Sequence, residues 1–559
     1  MNEPREPAGL PSAPASAAEG GGRPAGSGLR PAVGPVLQPT LDELSRPGRG
    51  VTRIPQAPAD ALRGIPAEQL RMQLPPLPEI DEPTAVRHFV NLSHLNYAVD
   101  SGFYPLGSCT MKWNPKLNEW AARLPGFTEL HPLAPDALAQ GALELLWDFE
   151  QWICEIAGMR AATLQPAAGA QGELTGILMV RAYHRSRGDS ARSEIIVPDS
   201  AHGTNPATAS MAGYRTVTVP SDARGGVDLA ALRAALGPRT AALMLTNPST
   251  LGLFEDQVVE ILEAVHAVGA LAYMDGANLN AVLGKFRPGA AGFDAMHFNT
   301  HKTFSTPHGG GGPGAGPVAV GERLLPFLPT PRVLREPDGS FRLERAGERP
   351  TSIGRVRSFV GSSGVLIRAY AYLRAHGGRG LEEVSEDAVL AANYLRHRLR
   401  GAYDIPYDRV CKHEFVASAS TLKRETGIRT LDVAKRLIDH GHHPPTVYFP
   451  LIVEEAMLIE PTETEALETL DDFAEAMLAI AEEAHRDPEV VHSAPHTAPV
   501  RRLDETAAAR QPDLHWPPMA AAGSAGRREG AAVATGAAPR AVAPSETRAA
   551  PGGTVTDPG

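Results

Sequence analysis

At 559 residues the chain is long for one domain, and with 43% hydrophobic residues it has material for a large buried core. The 53 Lys and Arg against 64 Asp and Glu leave a net charge of −11, which argues against a nucleic-acid-binding surface. The three cysteines, Cys109, Cys154 and Cys411, form no CxxC pair and no metal-ligand pattern, which points to a reducing compartment, and no apolar run is long enough to span a bilayer.

Residues 1–56 are rich in Pro, Gly and Ala, with few large apolar side chains, and are expected to be disordered. Glu3, Glu6, Glu19 and Asp42 set this segment apart from an organelle transit peptide, and it lacks the apolar core of a signal peptide. Residues 57–135 have little periodicity. Within them, 87–116 read RHFVNLSHLNYAVDSGFYPLGSCTMKWNPK, a mixture of aromatic, glycine and charged residues expected to line a site or an interface. Cys109 has no activating base nearby in sequence and reads as a buried small residue.

Leu138, Leu143, Leu145, Leu146, Phe149, Ile153 and Ile156 recur at helical spacing and predict a helix over 136–158. Apolar runs at 161–165, 194–198, 215–219, 240–246, 270–274, 295–299 and 317–320 predict strands with helices between several of them. That alternation implies a mainly parallel sheet in a large α/β domain over 136–330, in which one late strand is free to run antiparallel. Residues 331–504 predict a smaller α+β domain. Its helices fall at 363–376, 380–400, 430–440 and 463–486, and its short strands at 413–419, 446–449 and 456–460. Residues 505–559, again rich in Ala, Gly, Pro and Arg, are expected to form a disordered tail.

The chemistry concentrates at the ends of the predicted strands. In LQPAAGAQGELT (164–175), Ala168, Gly169, Ala170 and Gln171 precede an apolar helix and can offer backbone amides to a phosphate. In DSAHGTNPATASMAGY (199–214), His202 follows one strand and can stack on a ring. Thr246 and Asn247 end another strand, and in LAYMDGAN (271–278) Asp275 ends a third, followed by Gly276 and Ala277. Residues 294–317, DAMHFNTHKTFSTPHGGGGPGAGP, place Thr300, His301 and Lys302 between a strand and a glycine-rich loop. A strand-end lysine that forms a Schiff base, with an aspartate 302 − 275 = 27 residues before it to keep a pyridinium nitrogen protonated, is the pattern of a pyridoxal phosphate site. Ligands of open α/β sheets sit at these carboxyl ends.

Specific stretches extend this pattern. YPLGSCTMKWNPK, LQPAAGAQGELTG, SAHGTNPATASMAGY, TNPSTLGLFE, MDGANLNA, NTHKTFSTPHGGGGPGAGP, SIGRVRSFVGSSGVLIRAYAYLR and TVYFPLIVEEAMLIEPTETE cover nearly all of the region expected to fold. Together they resemble glycine decarboxylase, the P-protein of the glycine cleavage system, and most of all the second subunit of its two-subunit form. The resemblance implies a fold type I pyridoxal-phosphate enzyme with Lys302 as the Schiff-base lysine and Asp275 at the ring nitrogen. It also implies His202 on the ring face, with Ala168, Gly169, Ala170, Gln171, Asn247, Ala277, Thr300 and His301 around the cofactor. The implied reaction decarboxylates glycine and passes the aminomethyl group to the lipoyl arm of H-protein, releasing carbon dioxide. The implied assembly is a heterotetramer with subunit 1 in a bacterial-type cytoplasmic setting, with no metal, nucleic acid or membrane partner. Arg355 and Arg357 are candidates for the glycine carboxylate, and equally for stabilising the domain junction. Two departures stand out: Trp113 where the pattern has tyrosine, and Ser362–Ser363 where it more often has an asparagine–phenylalanine pair. The alternatives are another fold type I enzyme acting on a larger amino acid, or a non-catalytic partner subunit.

Overall fold

The computed structural model describes residues 38–50, 58, 60–73, 75, 77–131, 134–309 and 312–514. Most of the tails expected over 1–56 and 505–559 therefore lies outside the described residues. The chain divides into two compact units, whose described parts are 91–502, and 38–90 with 503–514. In the smaller unit, Thr40 and Glu43 form a reciprocal cap on the one-turn helix Leu41–Leu44, and Asp504 caps the helix Glu505–Arg510.

The larger unit is built on a seven-stranded sheet: β1 (Ala161–Thr163), β2 (Glu194–Pro198), β3 (Arg215–Val219), β4 (Thr240–Thr246), β5 (Leu271–Gly276), β6 (Ala295–Phe298) and β7 (Val318–Val320). The spatial order is β1-β7-β6-β5-β4-β2-β3, and β7 alone runs antiparallel to both its neighbours. Every residue of β4, β5 and β6 is buried, as a parallel sheet covered on both faces requires. The covering helices include α1 (Gln140–Ala157), α2 (Gly169–Ser186), α3 (Thr204–Met211) and α4 (Val258–Ala267). Helix α2 rides so close to the sheet that a Cβ on Gly176 would stand 2.3 Å from the Tyr273 ring. No described helix is long and apolar enough to cross a membrane.

After a short hairpin of β8 (Val333–Arg335) and β9 (Phe341–Leu343), the chain enters α5 (Ser363–Leu399). Beyond it, β10 (Phe415–Ser418), β11 (Thr446–Val447) and β12 (Ala456–Ile459) form an antiparallel sheet in the order β10-β12-β11. Helices α6 (Thr430–Asp439) and α7 (Leu467–Arg486) accompany it. Phe473, Met477 and Ile480 of α7 pack with Phe415, Met457 and Leu395 in a second core.

Some element boundaries differ from the sequence reading for local reasons. The helix expected over 136–158 starts as a 3-10 turn, Asp136–Leu138, and becomes α-helical only at Gln140, whose side-chain amide bonds Asp136 O and Phe341 O, each at 2.7 Å. The helix expected from 463 begins at Leu467, because Glu463 and Thr464 turn instead to Lys112 and to the backbone N–H of Trp113. Helix α5 is broken at Gly377, where φ is +61° and ψ −178°, between the two helices expected from sequence. A Cβ there would meet nothing within 4 Å, so any cost of adding one is a backbone cost. Gly377→Ala is expected to lower the unfolding free energy by about 1–3 kcal/mol, measurable as a lower denaturant midpoint, with no steric clash to relieve.

Candidate active site

Four strands deliver the predicted site residues to one edge of the sheet. Asp275 lies near the end of β5, in register with Thr246 of β4 and His297 of β6. Asn247 follows β4, His202 follows β2, and Lys302 sits in the one-turn helix Thr300–Thr303 that follows β6. Lys302 is half-buried, whereas the His202 ring is open to solvent on one side and edge-on to Phe449, with centroids 5.9 Å apart.

Asp275 is 2% exposed and heavily bonded. It accepts from Ala277 N at 2.9 Å and from Asn205 Nδ2 at 3.1 Å, and His297 Nε2 stands 3.4 Å away. Burial alone would raise its pKa. The imidazole of His297, the Asn205 amide, the Ala277 N–H and the charge of Lys302 overcome that and hold the carboxyl below its usual range. Behind it, the Tyr273 hydroxyl is 2.7 Å from His297 Nδ1, and the assignment that serves both contacts puts the His297 proton on Nε2, facing Asp275.

Asn205 also donates to Glu173, at 2.9 Å. Burial and the charge of Asp275 push Glu173 up to about 8, so at neutral pH the two carboxyls divide into an ionised Asp275 and a protonated Glu173. Thr204 Oγ1 lies 2.7 Å from Glu173 Oε1 and 2.9 Å from His202 Nδ1, and Thr204 N donates to the same Nδ1 at 3.2 Å. A protonated Glu173 thus bonds through the Thr204 hydroxyl to His202 and leaves the His202 proton on Nε2. Desolvation and the charge of Lys302 lower the His202 pKa, against the pull of Asp275.

The phosphate candidates separate on inspection. No side chain caps α2, whose N-cap is Ala168, so the leading N–H groups of Gly169, Ala170 and Gln171 face outward from a helix N-terminus. The Gln171 side chain is already committed: Oε1 accepts from Ala167 N at 2.6 Å and Nε2 donates to Val356 O at 2.9 Å. The Thr300 hydroxyl donates to Ala315 O at 3.2 Å. His301 keeps Nδ1 bare, and burial first, then the charge of Lys302, bring its pKa down to about 3. Arg357 bonds Ser362 Oγ at 3.0 Å, and Arg355 is exposed.

Among the described residues, Asn247 Nδ2, Asn299 Oδ1, His301 Nδ1, Thr303 Oγ1 and Thr306 Oγ1 are buried polar atoms without a partner, as are both amide atoms of Asn280. They lie where β4 to β6 end or in the turn bearing Lys302, and each needs a hydrogen-bonding group that the protein does not supply. The residues present therefore fit the cofactor expected from sequence, with its phosphate, phenolic oxygen and ring nitrogen.

The lysine turn is held from outside the sheet. Lys112 Nζ, wholly buried, donates to Thr303 O at 3.0 Å, to Glu463 Oε1 at 2.6 Å and to Tyr372 Oη at 3.2 Å. Asn114 Nδ2 donates to Ser305 Oγ at 3.2 Å, and Ser305 Oγ donates to Trp113 O at 3.0 Å. Trp113 thus serves this contact through its backbone, while its half-exposed ring carries Lys116 over one face. Ser362 stands as the N-cap of α5. Lys112, Glu173, Thr204, Asn205 and His297 were not picked out from sequence. The signals available were a lone acid in the small-residue start of α2 and a histidine inside an apolar strand.

A mainly parallel sheet with an antiparallel β7, and a lysine, an aspartate and a helix N-terminus gathered at its carboxyl edge, defines a fold type I pyridoxal-phosphate enzyme. Residues 177–312 match the aminotransferase class-V family and 384–497 the glycine dehydrogenase C-terminal domain. A crystal structure of glycine decarboxylase (P-protein) of the glycine cleavage system superposes with a TM-score of 0.62 at 24% identity, over 75% of this chain and 94% of that one. Glutamate decarboxylase of Lactobacillus brevis superposes at 0.58 with 15% identity, over 75% and 97%. Proteins named probable glycine dehydrogenase (decarboxylating) subunit 2 are much nearer in sequence. That of Desulforamulus reducens is 57% identical over 488 residues, 86% of this chain and 100% of the relative, and that of Pyrococcus horikoshii is 55% identical over 482 residues, 86% and 96%. The chain belongs to the glycine dehydrogenase (decarboxylating) subunit 2 family.

Lys112→Ala leaves Glu463 buried without its cation and is expected to cost about 3–5 kcal/mol of stability. Chemical denaturation checks this, and the paired change Lys112→Met with Glu463→Gln should recover part of the loss. A pH effect follows from Glu173. As pH rises past the ordinary carboxyl range, the unfolded chain ionises Glu173 while the folded chain keeps its proton until about 8, so folding loses stability across that window. Glu173→Gln should therefore flatten the fall in unfolding free energy between about pH 5 and 8, by up to about 1.4 kcal/mol per pH unit.

Proposed function

We propose that this chain is the cofactor-bearing subunit of a glycine-decarboxylating assembly, with Lys302 as the covalent anchor of pyridoxal phosphate. The observation that carries this reading is the placement of Lys302 and a buried Asp275, held below its usual carboxyl range, at one edge of the sheet amid partnerless polar atoms. Bound pyridoxal phosphate supplies the sink for the electron pair left on glycine when carbon dioxide departs. Asp275, backed by His297 and Asn205, holds a proton on the ring nitrogen. The N–H groups at the start of α2, with Ala168, Gly169, Ala170 and Gln171, receive the phosphate, and Thr300 and His301 close that side. His202, fixed through Thr204, covers the ring face, and Asn247 and Ala277 border it.

The family name specifies a second subunit, and we assign this chain a separate subunit 1 as its partner in a heterotetramer. The acceptor of the aminomethyl group is the lipoyl arm of H-protein. The setting is the cytoplasm, in keeping with three free thiols.

The test is an absorbance spectrum of the purified chain with pyridoxal phosphate. A visible to near-ultraviolet band that shifts with glycine and is lost in Lys302→Ala is the expected result. A band unchanged in Lys302→Ala overturns the assignment. With subunit 1 and H-protein added, exchange of labelled bicarbonate into glycine should appear, and its absence would point to a larger amino acid as substrate.

A further inference from the structure

A second cluster of buried titratable groups lies outside the site described above. Phe415 of β10 pairs with Ile459 of β12, and the next step of this antiparallel register sets Glu414 and Glu460 side by side where the two strands end. Both glutamates, and His413 before them, are 0% exposed. One donor atom from each of the three lies within 4.8 Å of the other two. His413 Nε2 stands 3.5 Å from Glu414 Oε1 and 3.9 Å from Glu460 Oε1. The loop 107–110 bonds both carboxyls. Ser108 N donates to Glu414 Oε2 at 2.6 Å, Thr110 N donates to Glu460 Oε2 at 2.9 Å, and Thr110 Oγ1 donates to Glu460 Oε1 at 2.5 Å.

These bonds leave the atoms that face one another unserved. Glu414 Oε1 has no hydrogen-bond partner, and neither has either ring nitrogen of His413. Among the described residues no Lys or Arg forms an ion pair with either carboxyl, and Lys302 acts on them only through charge at longer range. Two carboxyls and an imidazole held wholly out of water, with bare donor atoms turned toward one another, call for a cation between them. Glu173, Asp275 and His297 are gathered as closely, but hydrogen bonds serve every carboxyl oxygen there. Thr204 bonds Glu173 Oε1, Asn205 bonds Glu173 Oε2 and Asp275 Oδ2, and Ala277 N bonds Asp275 Oδ1, while Tyr273 bonds His297 Nδ1. Proximity is common to both clusters, and bare facing atoms belong to the His413 cluster.

We propose that His413, Glu414 and Glu460 form a binding site for a divalent transition-metal ion, with zinc the ion their donor set suits best, a site that the family resemblance does not imply. Zinc takes imidazole nitrogen and carboxylate oxygen at about 2.0–2.2 Å, so the donor atoms of a tetrahedral site stand about 3.3–3.6 Å apart. The separations of 3.5 and 3.9 Å here already approach that spacing. An imidazole among the ligands argues against magnesium and calcium, which take oxygen donors. A dication balances the charges of two carboxylates and so removes the repulsion between them. Three protein ligands leave a fourth position for water. Thr110 orients Glu460 through its N–H and hydroxyl, and the Ser108 N–H orients Glu414, as groups behind metal ligands do. The same loop is tied to the small-domain sheet, where Gly107 N donates to Leu458 O at 3.2 Å and Thr446 Oγ1 donates to Gly107 O at 2.8 Å. The ion therefore braces the segment that leads to Lys112 against the ends of β10 and β12.

The experiment titrates zinc into the full chain with pyridoxal phosphate bound, after a chelator and removal of any affinity tag have cleared other metal. One equivalent should bind, and X-ray absorption should show only nitrogen and oxygen neighbours at about 2.0–2.2 Å, with the outer scattering of a single imidazole. His413→Ala and Glu414→Gln should each weaken binding by about a hundredfold or more, and Thr110→Val, which removes one bond that orients Glu460, by about 10–100-fold. Zinc should raise the unfolding temperature of the wild type and leave that of His413→Ala unchanged. Absence of stoichiometric uptake by the wild type overturns the proposal. So does a shell containing sulfur or two or more imidazoles, which puts the ion on other residues, and so does undiminished affinity in both His413→Ala and Glu414→Gln. The absorption measurement uses the wild type alone, so it decides the matter even where a variant fails to fold.

Discussion

One buried ammonium holds the site together. Lys112 reaches it from the segment that precedes the large domain, and binds the turn of Lys302 through Thr303 O, α5 through Tyr372 and the start of the C-terminal helical region through Glu463. A charge 1% exposed would carry a desolvation cost of several kcal/mol if unpaired, so each of the three partners has to be in place for the others to be tolerated. The carbonyl bound by Lys112 belongs to the residue after Lys302. The turn that carries Lys302 is therefore braced by a contact 191 residues away in sequence, and not by its own four-residue helix alone.

Around that anchor the fold divides charge by hydrogen-bond supply. Asp275 and Glu173 are both buried and are joined through one amide, that of Asn205, yet they move in opposite directions. Asp275 has an imidazole, a backbone N–H and a lysine in support, and Glu173 has only neutral hydroxyls and the amide. Glu414 and Glu460, side by side where β10 and β12 end, repeat the unequal supply in the smaller domain: Glu460 receives the Thr110 N–H and hydroxyl, and Glu414 only the Ser108 N–H. The division of charge between Asp275 and Glu173 thus follows hydrogen bonds that are complete before any substrate arrives.

Much of this was legible in the chain. The sheet could be read because β2, β4, β5 and β6 are buried on both faces, which leaves largely apolar runs, and because a polar residue (Asp199, Thr246, Asp275, Asn299) stands at or next to the carboxyl end of each. Asp275, His202 and Lys302 were visible for that reason. What stayed hidden depends on partners distant in sequence. Lys112 and Glu463 are 351 residues apart, and only the pairing of β10 with β12 makes neighbours of Glu414 and Glu460. The backbone N–H of Gln171 at a helix start could be read from sequence, but not its side-chain amide, which ties Ala167 to the 356 backbone. Nothing in the sequence marks Glu173 in its early helical turn, and its surroundings alone make it a buried acid.

Helix α5 belongs to both halves of the larger unit. Val365, Leu366, Leu381 and Val384 pack in the core of the large domain, while Ala391, Ala392, Leu395 and Leu399 pack in that of the small one. The boundary between the domains therefore passes through the second helical segment of α5, beyond the break at Gly377, which lies on the large-domain side. Neither half can be cut free at a loop, and a polypeptide severed near residue 387 would leave an amphipathic stub on each fragment with its apolar side exposed. For this protein, dissection into separately expressed domains is blocked by the very element that joins them.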